Sequence, residues 1–216
     1  MNEISELRRL PSPAPRPQSL AWDGGTLWMG SLATRRIYAI SPATWTVGWE
    51  TAAPGVPWGL TAVGHELRVL CSETADSSRN IWRCVPGRGF DPESLWPCPD
   101  DTGSQLGYDG WRLHVSQWYP KKVIRLSAEG QAERVIAVPH GICGQVFVGD
   151  LLYLVTTDAE ETTDYWLTRV DPRGDEARIE DVARIPFAAR ALAHDGRHFW
   201  TNHRERDQIV AFAIAT

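Results

Sequence analysis

Residues 20–40, LAWDGGTLWMGSLATRRIYAI, and residues 192–212, LAHDGRHFWTNHRERDQIVAF, align without a gap at an offset of 172 residues. They share Leu-Ala, Asp-Gly, a tryptophan four residues after that glycine (Trp28, Trp200), an isoleucine (Ile37, Ile209) and an alanine (Ala39, Ala211). A chain that writes one segment at both ends is built from repeated units, and the repeat length limits the architectures open to it. Three further glycine turns lie between Gly24 and Gly196, at Gly64, Gly110 and Gly149. The spacings are 40, 46, 39 and 47 residues, with a mean of 43.

Each turn is flanked by short apolar runs of strand character. A run such as SLAW, GLTAV, QLGY, QVFV or ALAH precedes it. A second run follows directly: residues 26–31, 66–71, 111–116, 151–156 and 197–202. A third comes after a polar loop, at 36–41, 80–85, 122–127, 165–170 and 208–213. A fourth closes the first four units, at 47–52, 93–98, 132–137 and 181–186. The fifth unit lacks one, while residues 4–10, ISELRRL, stand as a spare strand ahead of the first. Eleven tryptophans favour strands, 15 prolines and 18 glycines favour frequent turns, and no long run has helical periodicity. These features predict an all-β fold, a five-bladed β-propeller of four antiparallel strands per blade, with the N-terminal strand closing the last blade. The blades fall near 18–54, 55–102, 103–139, 140–188, and 189–216 plus 4–10, in one domain. A β-sandwich would explain neither the period nor the spare strand.

Charge and composition narrow the partners. The net charge is −5, and the most basic cluster, HRER at 203–206, is interrupted by Glu205. Neither nucleic acid nor membrane is an expected partner. With no 18-residue apolar run and no signal-peptide core in the chain as given, a cytoplasmic protein is expected. Cys71, Cys84, Cys98 and Cys143 form no CxxC pair, which points to reduced structural thiols and no zinc. A closed ring hides its own sheet edges, so a monomer is expected.

The repeat also says where a site would lie, because loops on one propeller face surround the channel mouth. Six residues before each turn glycine stand Gln18, Trp58, Ser104, Cys143 and Arg190. One position on come Ser19, Gly59, Gln105, Gly144 and Ala191. Leu20, Leu60, Leu106 and Leu192 come next and read as packing between blades, with Gln145 in their place in blade four. This polar ring carries amides, one indole and one guanidinium, and no carboxylate. Arg190 is either a forked donor for an anion or an ion-pair partner of the acidic loop 156–164. Trp58 either stacks a planar ligand or plugs the channel. The loops after the second strand of each blade differ sharply, and the one at 117–121 exposes Trp118 and Tyr119. His114 and His194 read as core groups, and His65 and His198 as surface groups. His140 and His203 fall on the functional face and are the candidate acid or base.

Several families resemble these repeats. PHGI at 139–142, followed by a glycine turn and LYLVTT, is similar to the repeats of virginiamycin B lyases, as are HFWTN…QIVAF and TLWMGS…RIYAI. WGLTAVGHELRVL resembles a Glu-Gly-Leu-Thr…Gly…Leu-Tyr run of five-bladed glutaminyl cyclases. Gluconolactonase-like and NHL propellers are similar in style. The lyase resemblance implies a histidine at a strand entrance, matched by His140, and a glutamate with magnesium, where this chain has Thr156 or Thr157. The gluconolactonase resemblance implies acidic ligands that the ring lacks, so no metal and no cofactor is expected. The cyclase resemblance implies a glutamate and a lysine near the axis, for which Glu73 and Lys121 are nearest.

Two functions follow as expectations. One is a metal-independent lyase- or cyclase-type enzyme acting at the channel mouth on a small anionic metabolite or peptide-derived substrate. There Gln18, Trp58, Gln105, Trp118, Tyr119 and Arg190 would bind, and His140 or His203 would move the proton. The other is a non-catalytic propeller that binds a small ligand or a partner protein.

Overall fold

The computed structural model describes all residues except 160, 161, 163, 175 and 216. An N-terminal strand, β1 (Ser5–Pro11), precedes five blades. Blade 1 holds β2 (Pro17–Trp22), β3 (Leu27–Ser31), β4 (Arg36–Ser41) and β5 (Thr46–Ala52). Blade 2 holds β6 (Val56–Val63), β7 (Glu66–Ser72), β8 (Asn80–Val85) and β9 (Gly89–Pro97). Blade 3 holds β10 (Gln105–Tyr108), β11 (Leu113–Gln117), β12 (Lys122–Leu126) and β13 (Ala132–Ala137). Blade 4 holds β14 (Gly141–Val148), β15 (Leu151–Thr157), β16 (Tyr165–Asp171) and β17 (Arg178–Ile185). Blade 5 is built from β18 (Ala193–His194), β19 (Phe199–His203), β20 (Gln208–Ala213) and β1. The protein is therefore a five-bladed β-propeller in which the first strand completes the last blade, its order being β18-β19-β20-β1.

The repeated Asp-Gly…Trp segment has a physical cause. Asp23 turns the chain between β2 and β3: its Oδ1 accepts the backbone N–H groups of Gly25 and Thr26, and its Oδ2 accepts the Trp28 indole N–H at 2.7 Å. Asp195 does the same for Arg197 and His198, with Trp200 donating at 2.8 Å. In blade 3 the pin is Asp109 and His114 Nε2, at 3.0 Å. Gly24, Gly110 and Gly196 take φ of 103°, 92° and 93°, which a side chain resists. Blades 2 and 4 use tight two-residue turns, Gly64-His65 and Gly149-Asp150, and need no aspartate pin.

Apolar side chains on the blade faces meet in five clusters, one between each pair of neighbouring blades. Leu20, Met29 and Tyr38 of blade 1 pack with Trp200 and Ile209 of blade 5. Trp28, Ile37, Leu60 and Val69 join blades 1 and 2, while Leu70, Ile81, Leu106 and Val115 join blades 2 and 3. Val123, Ile136, Ile142 and Leu154 join blades 3 and 4. Tyr165, Leu167, Val210 and Phe212 join blades 4 and 5, where Ile4 also inserts. Each blade thus covers the apolar face of the next, and among the described residues each of the five clusters spans two blades.

Near the axis the backbones approach closely. A Cβ on Gly59 would lie 2.6 Å from Gln105 Cα, and one on Gly144 would lie 2.5 Å from the Ala191 carbonyl carbon. Gly144→Ala should therefore force blades 4 and 5 apart and cost about 1–3 kcal/mol. Gly48→Ala, on outer strand β5 with nothing within 4 Å, should change stability by about 0.5 kcal/mol or less. Urea unfolding of the two variants checks this, and equal midpoints would show that the axial approach is not tight.

Candidate functional site

A register irregularity in the innermost strand sets the chemistry of the channel mouth. In β2 the pairing runs Pro17 to Ser31 and then Ser19 to Gly30, leaving Gln18 out of the ladder. In β6 the skipped residue is Trp58, and in β14 it is Cys143. A bulge re-aims the extra residue, here toward the axis. Blade 5 reaches the same result differently. Its innermost strand has only two residues, and the Arg190 N–H is satisfied by Asn202 Oδ1 at 3.1 Å. In blade 3, Ser104 precedes the strand and donates its N–H to the Ser116 carbonyl.

These five positions, Gln18, Trp58, Ser104, Cys143 and Arg190, line one cavity of about 460 Å³ at the channel mouth. The walls come from loops: Leu32, Ala75, Asp76, Arg79, Trp118, Tyr119 and Arg204 follow the second strands of four blades, and Arg16 precedes β2. Arg16, Arg79 and Arg204 are not among the binding residues that the repeat positions predict. The basic cluster at 203–206 points to Arg204, and no repeat signal points to Arg16 or Arg79.

The cavity is cationic. Arg16, Arg79, Arg190 and Arg204 face it with Asp76 as the one carboxylate among its described lining residues. The Arg204 Nη1 donates to Gln18 Oε1 at 3.1 Å. Burial, then the charges of Arg190 and Arg16, hold the Arg204 guanidinium below its usual range. Burial also lowers Arg79, which donates to the Gly103 carbonyl and lies over the Trp58 ring at 4.3 Å. The Trp58 indole N–H is in turn donated to Ser72 Oγ at 2.7 Å, so this pair is fixed before any ligand arrives. Arg190 lies over the Tyr165 ring at 5.7 Å and donates to Cys143 Sγ at 3.3 Å. The loop 156–164 weighed as its ionic partner includes residues 160, 161 and 163, which lie outside the described ones.

Of the predicted binding residues, Gln18, Trp58, Trp118, Tyr119 and Arg190 all line the cavity. Gln105 lies beneath it: its Nε2 donates to the carbonyls of Gln18 and Arg190, at 3.2 and 2.8 Å, and straps blade 3 to blades 1 and 5. Trp118 packs on Gly141 and meets Tyr119 edge-to-face at 4.8 Å.

The two histidines expected to carry a proton stand elsewhere. His140 stacks on Trp166 of β16 at 4.6 Å, with its Nδ1 against Asp158, just past β15, and its Nε2 against Asp181 of β17, so groups of blade 4 hold it away from the lining. His203 turns from the mouth to stack on Phe187 at 5.2 Å, while its neighbour Arg204 turns inward. Glu73 is exposed, and Lys121 Nζ is bound to the Pro139 carbonyl and Asp158; neither lines the cavity. Among the described residues, no three His, Cys, Asp or Glu side chains converge to hold a metal.

No protein-family model and no curated protein matches this chain. Solved structures share its fold. Glutaminyl cyclase from Myxococcus xanthus superposes with a TM-score of 0.72 at 13% identity, covering 99% of this chain and 97% of that one. The PQQ-bound aldose sugar dehydrogenase of Streptomyces coelicolor gives a TM-score of 0.60 at 13% identity, covering 98% of each. Hydrazine synthase from Kuenenia stuttgartiensis gives 0.52 at 16%, covering 90% of this chain and 57% of that one. The resemblance to glutaminyl cyclase propellers seen in the sequence thus holds at the level of the fold.

Two measurements test this picture of the mouth and its surroundings. Burial raises all four thiols, Cys84 to about 11 and Cys98 to about 12, and Cys143 is raised although Arg190 and Trp118 oppose the burial. A thiol reagent at pH 8 should therefore label nothing rapidly in the folded protein and all four cysteines in denaturant. Rapid native labelling of Cys143 would mean an open cavity floor. Burial also lowers His114, His194 and His203, the last with help from Arg9 and Arg206. Their stabilisation is present above the ordinary value of 6.5 and lost as pH falls toward the depressed values, because the unfolded chain then binds more protons. The urea midpoint should drop between pH 7.5 and pH 5.5; a rise would contradict the buried placement of these rings.

Proposed function

We propose that this propeller is a receptor for a small anionic molecule held at the channel mouth, and that it acts by binding rather than turnover. One observation carries the reading. Arg16, Arg79 and Arg204 line the cavity, and no described carboxylate lies within ion-pair distance of any of them. Several arginines outside the cavity do find carboxylates: Arg83 with Glu66 and Asp91, Arg169 with Glu180, Arg173 with Asp171. Guanidinium groups gathered beside a single described carboxylate, Asp76, with which none of these three pairs, favour a ligand that brings further negative charge.

The enzyme reading has less support. A glutaminyl cyclase shares the fold, but Trp58 stands in this chain where the resembling cyclase run has its glutamate, and Glu73 and Lys121 lie off the cavity. The described lining offers no histidine, glutamate or lysine to move a proton. The Cys143 thiol, pushed up by burial, is a poor nucleophile.

Phosphate, citrate or benzoate, compared with chloride at equal ionic strength, should raise the melting temperature of the protein. Arg204→Gln removes one charge-assisted donor, worth about 1.5–3 kcal/mol. Its affinity for the same anions by calorimetry should fall about ten- to hundredfold. Anion binding that is undiminished in this variant would place the site elsewhere.

A further inference from the structure

Opposite charges line the mouth without meeting. Asp76 stands on the loop after β7, in the same lining as Arg16, Arg79 and Arg204. Its carboxylate is exposed and, among the described residues, enters no ion pair. Arg79 belongs to the same loop, yet its guanidinium turns to neutral partners, the Gly103 carbonyl and the Trp58 ring, whose centroid lies at 4.3 Å. Arg204 likewise donates to the amide oxygen of Gln18, at 3.1 Å. Arg16 is tied through its backbone, whose N–H is donated to Asp207 Oδ1 at 2.7 Å. Unlike charges attract more strongly as they approach, so groups free to move would pair. Here neutral anchors hold Arg79 and Arg204, and Asp76 is left beyond ion-pair distance of all three arginines.

Charges of both signs held apart in one cavity are satisfied by a guest that carries both signs. A plain anion meets a guanidinium group but is repelled by Asp76. An anion that also bears an ammonium group answers both: its carboxylate accepts from guanidinium N–H groups, and its ammonium donates to the Asp76 carboxylate. The two kinds of group stand on different parts of the ring. Asp76 belongs to blade 2, whereas Arg16 precedes blade 1 and Arg204 belongs to blade 5. The guest therefore lies across the mouth rather than along one wall. At about 460 Å³ the space holds a molecule of amino-acid size.

We infer that the mouth recognises a small carboxylic acid that also carries a protonated amine, with the carboxylate on the side of Arg16 and Arg204 and the amine on the side of Asp76. This assignment rests on the anion-receptor reading and specifies its ligand class.

Calorimetry on the full chain at pH 7 and fixed ionic strength compares two pairs of probes that differ by one amine: aspartate with succinate, and 4-aminobutyrate with butyrate. The aminated member of each pair should bind about three- to tenfold more tightly. Without an acidic wall the amine could only weaken binding, because it would add positive charge beside guanidinium groups. Asp76→Asn, at an exposed position that folding tolerates, should therefore reverse the order within each pair. Arg204→Gln should weaken all four acids and leave the preference for the amine. Succinate and butyrate binding as tightly as their aminated partners to the unaltered chain would overturn the amine assignment and leave an anion receptor. An order unchanged by Asp76→Asn would overturn the placement of the amine. Silence from all four probes, with phosphate or citrate still bound, would sink this inference alone; silence from those anions as well would sink the receptor reading with it.

Discussion

Everything in this molecule depends on the ladder between its first and last strands. Six residue pairs, from Ser5 with Ala213 to Pro11 with Gln208, join segments some two hundred residues apart and shut the ring. Closing so long a loop costs entropy, though only slowly more as length grows, and the inter-blade cores offset it once the ring is complete. The seam continues past the ladder. The Ser12 N–H donates to the Asp207 carbonyl, and the Arg16 N–H to Asp207 Oδ1 at 2.7 Å. Asp207 itself is left-handed, at φ 51°, and ends the short turn that carries Arg204. Arg16 and Arg204 are thus brought into one cavity by the same contacts that close the fold.

Blade and mouth obey different constraints, and the bulges separate them. Leu20, Leu60 and Leu106 within the ladder, and Leu192 just before β18, are buried to 2% exposure or less, and a neighbouring blade dictates their shape. One position away from the ladder, Gln18, Trp58 and Cys143 have no strand partner to satisfy. Their identity is free to follow the channel, which is why five homologous positions carry an amide, an indole, a hydroxyl, a thiol and a guanidinium. A repeat protein can so hold its frame constant and write an asymmetric site on it.

The same division governs what was legible beforehand. The repeat of Asp23 and Trp28 in Asp195 and Trp200 could be read because a local turn and its pin recur at fixed spacing. The five mouth positions could be counted back from the turn glycines for the same reason. Arg16, Arg79 and Arg204 could not, since they lie in irregular segments whose direction is set by distant partners: Asp207 for Arg16, and Gly103 and Trp58 for Arg79. His140 and His203 have the opposite history. Their loops were placed on the functional face, but each ring found a flat apolar partner, Trp166 or Phe187, and left the channel. Loop membership is a matter of sequence, whereas the direction of a side chain within a loop is a matter of packing.

The position of the cationic group at the seam ties ligand and fold together. Arg190 belongs to the last blade, Gln18 to the first, and Arg204 donates to Gln18 across the boundary between them. Like charges gathered there oppose the very closure that gathers them, and low solvent access strengthens the repulsion. Gln18 and Gln105 contribute neutral groups there: one amide accepts from Arg204, and the other spans from blade 3 to the carbonyls of Gln18 and Arg190. A bound anion would remove the repulsion at its source. Since the unfolded chain has no such cluster, an anion held there would bind the closed ring alone and draw the equilibrium toward it. The proposed anion site therefore lies where like charge opposes ring closure, and a ligand of opposite charge would favour both at once.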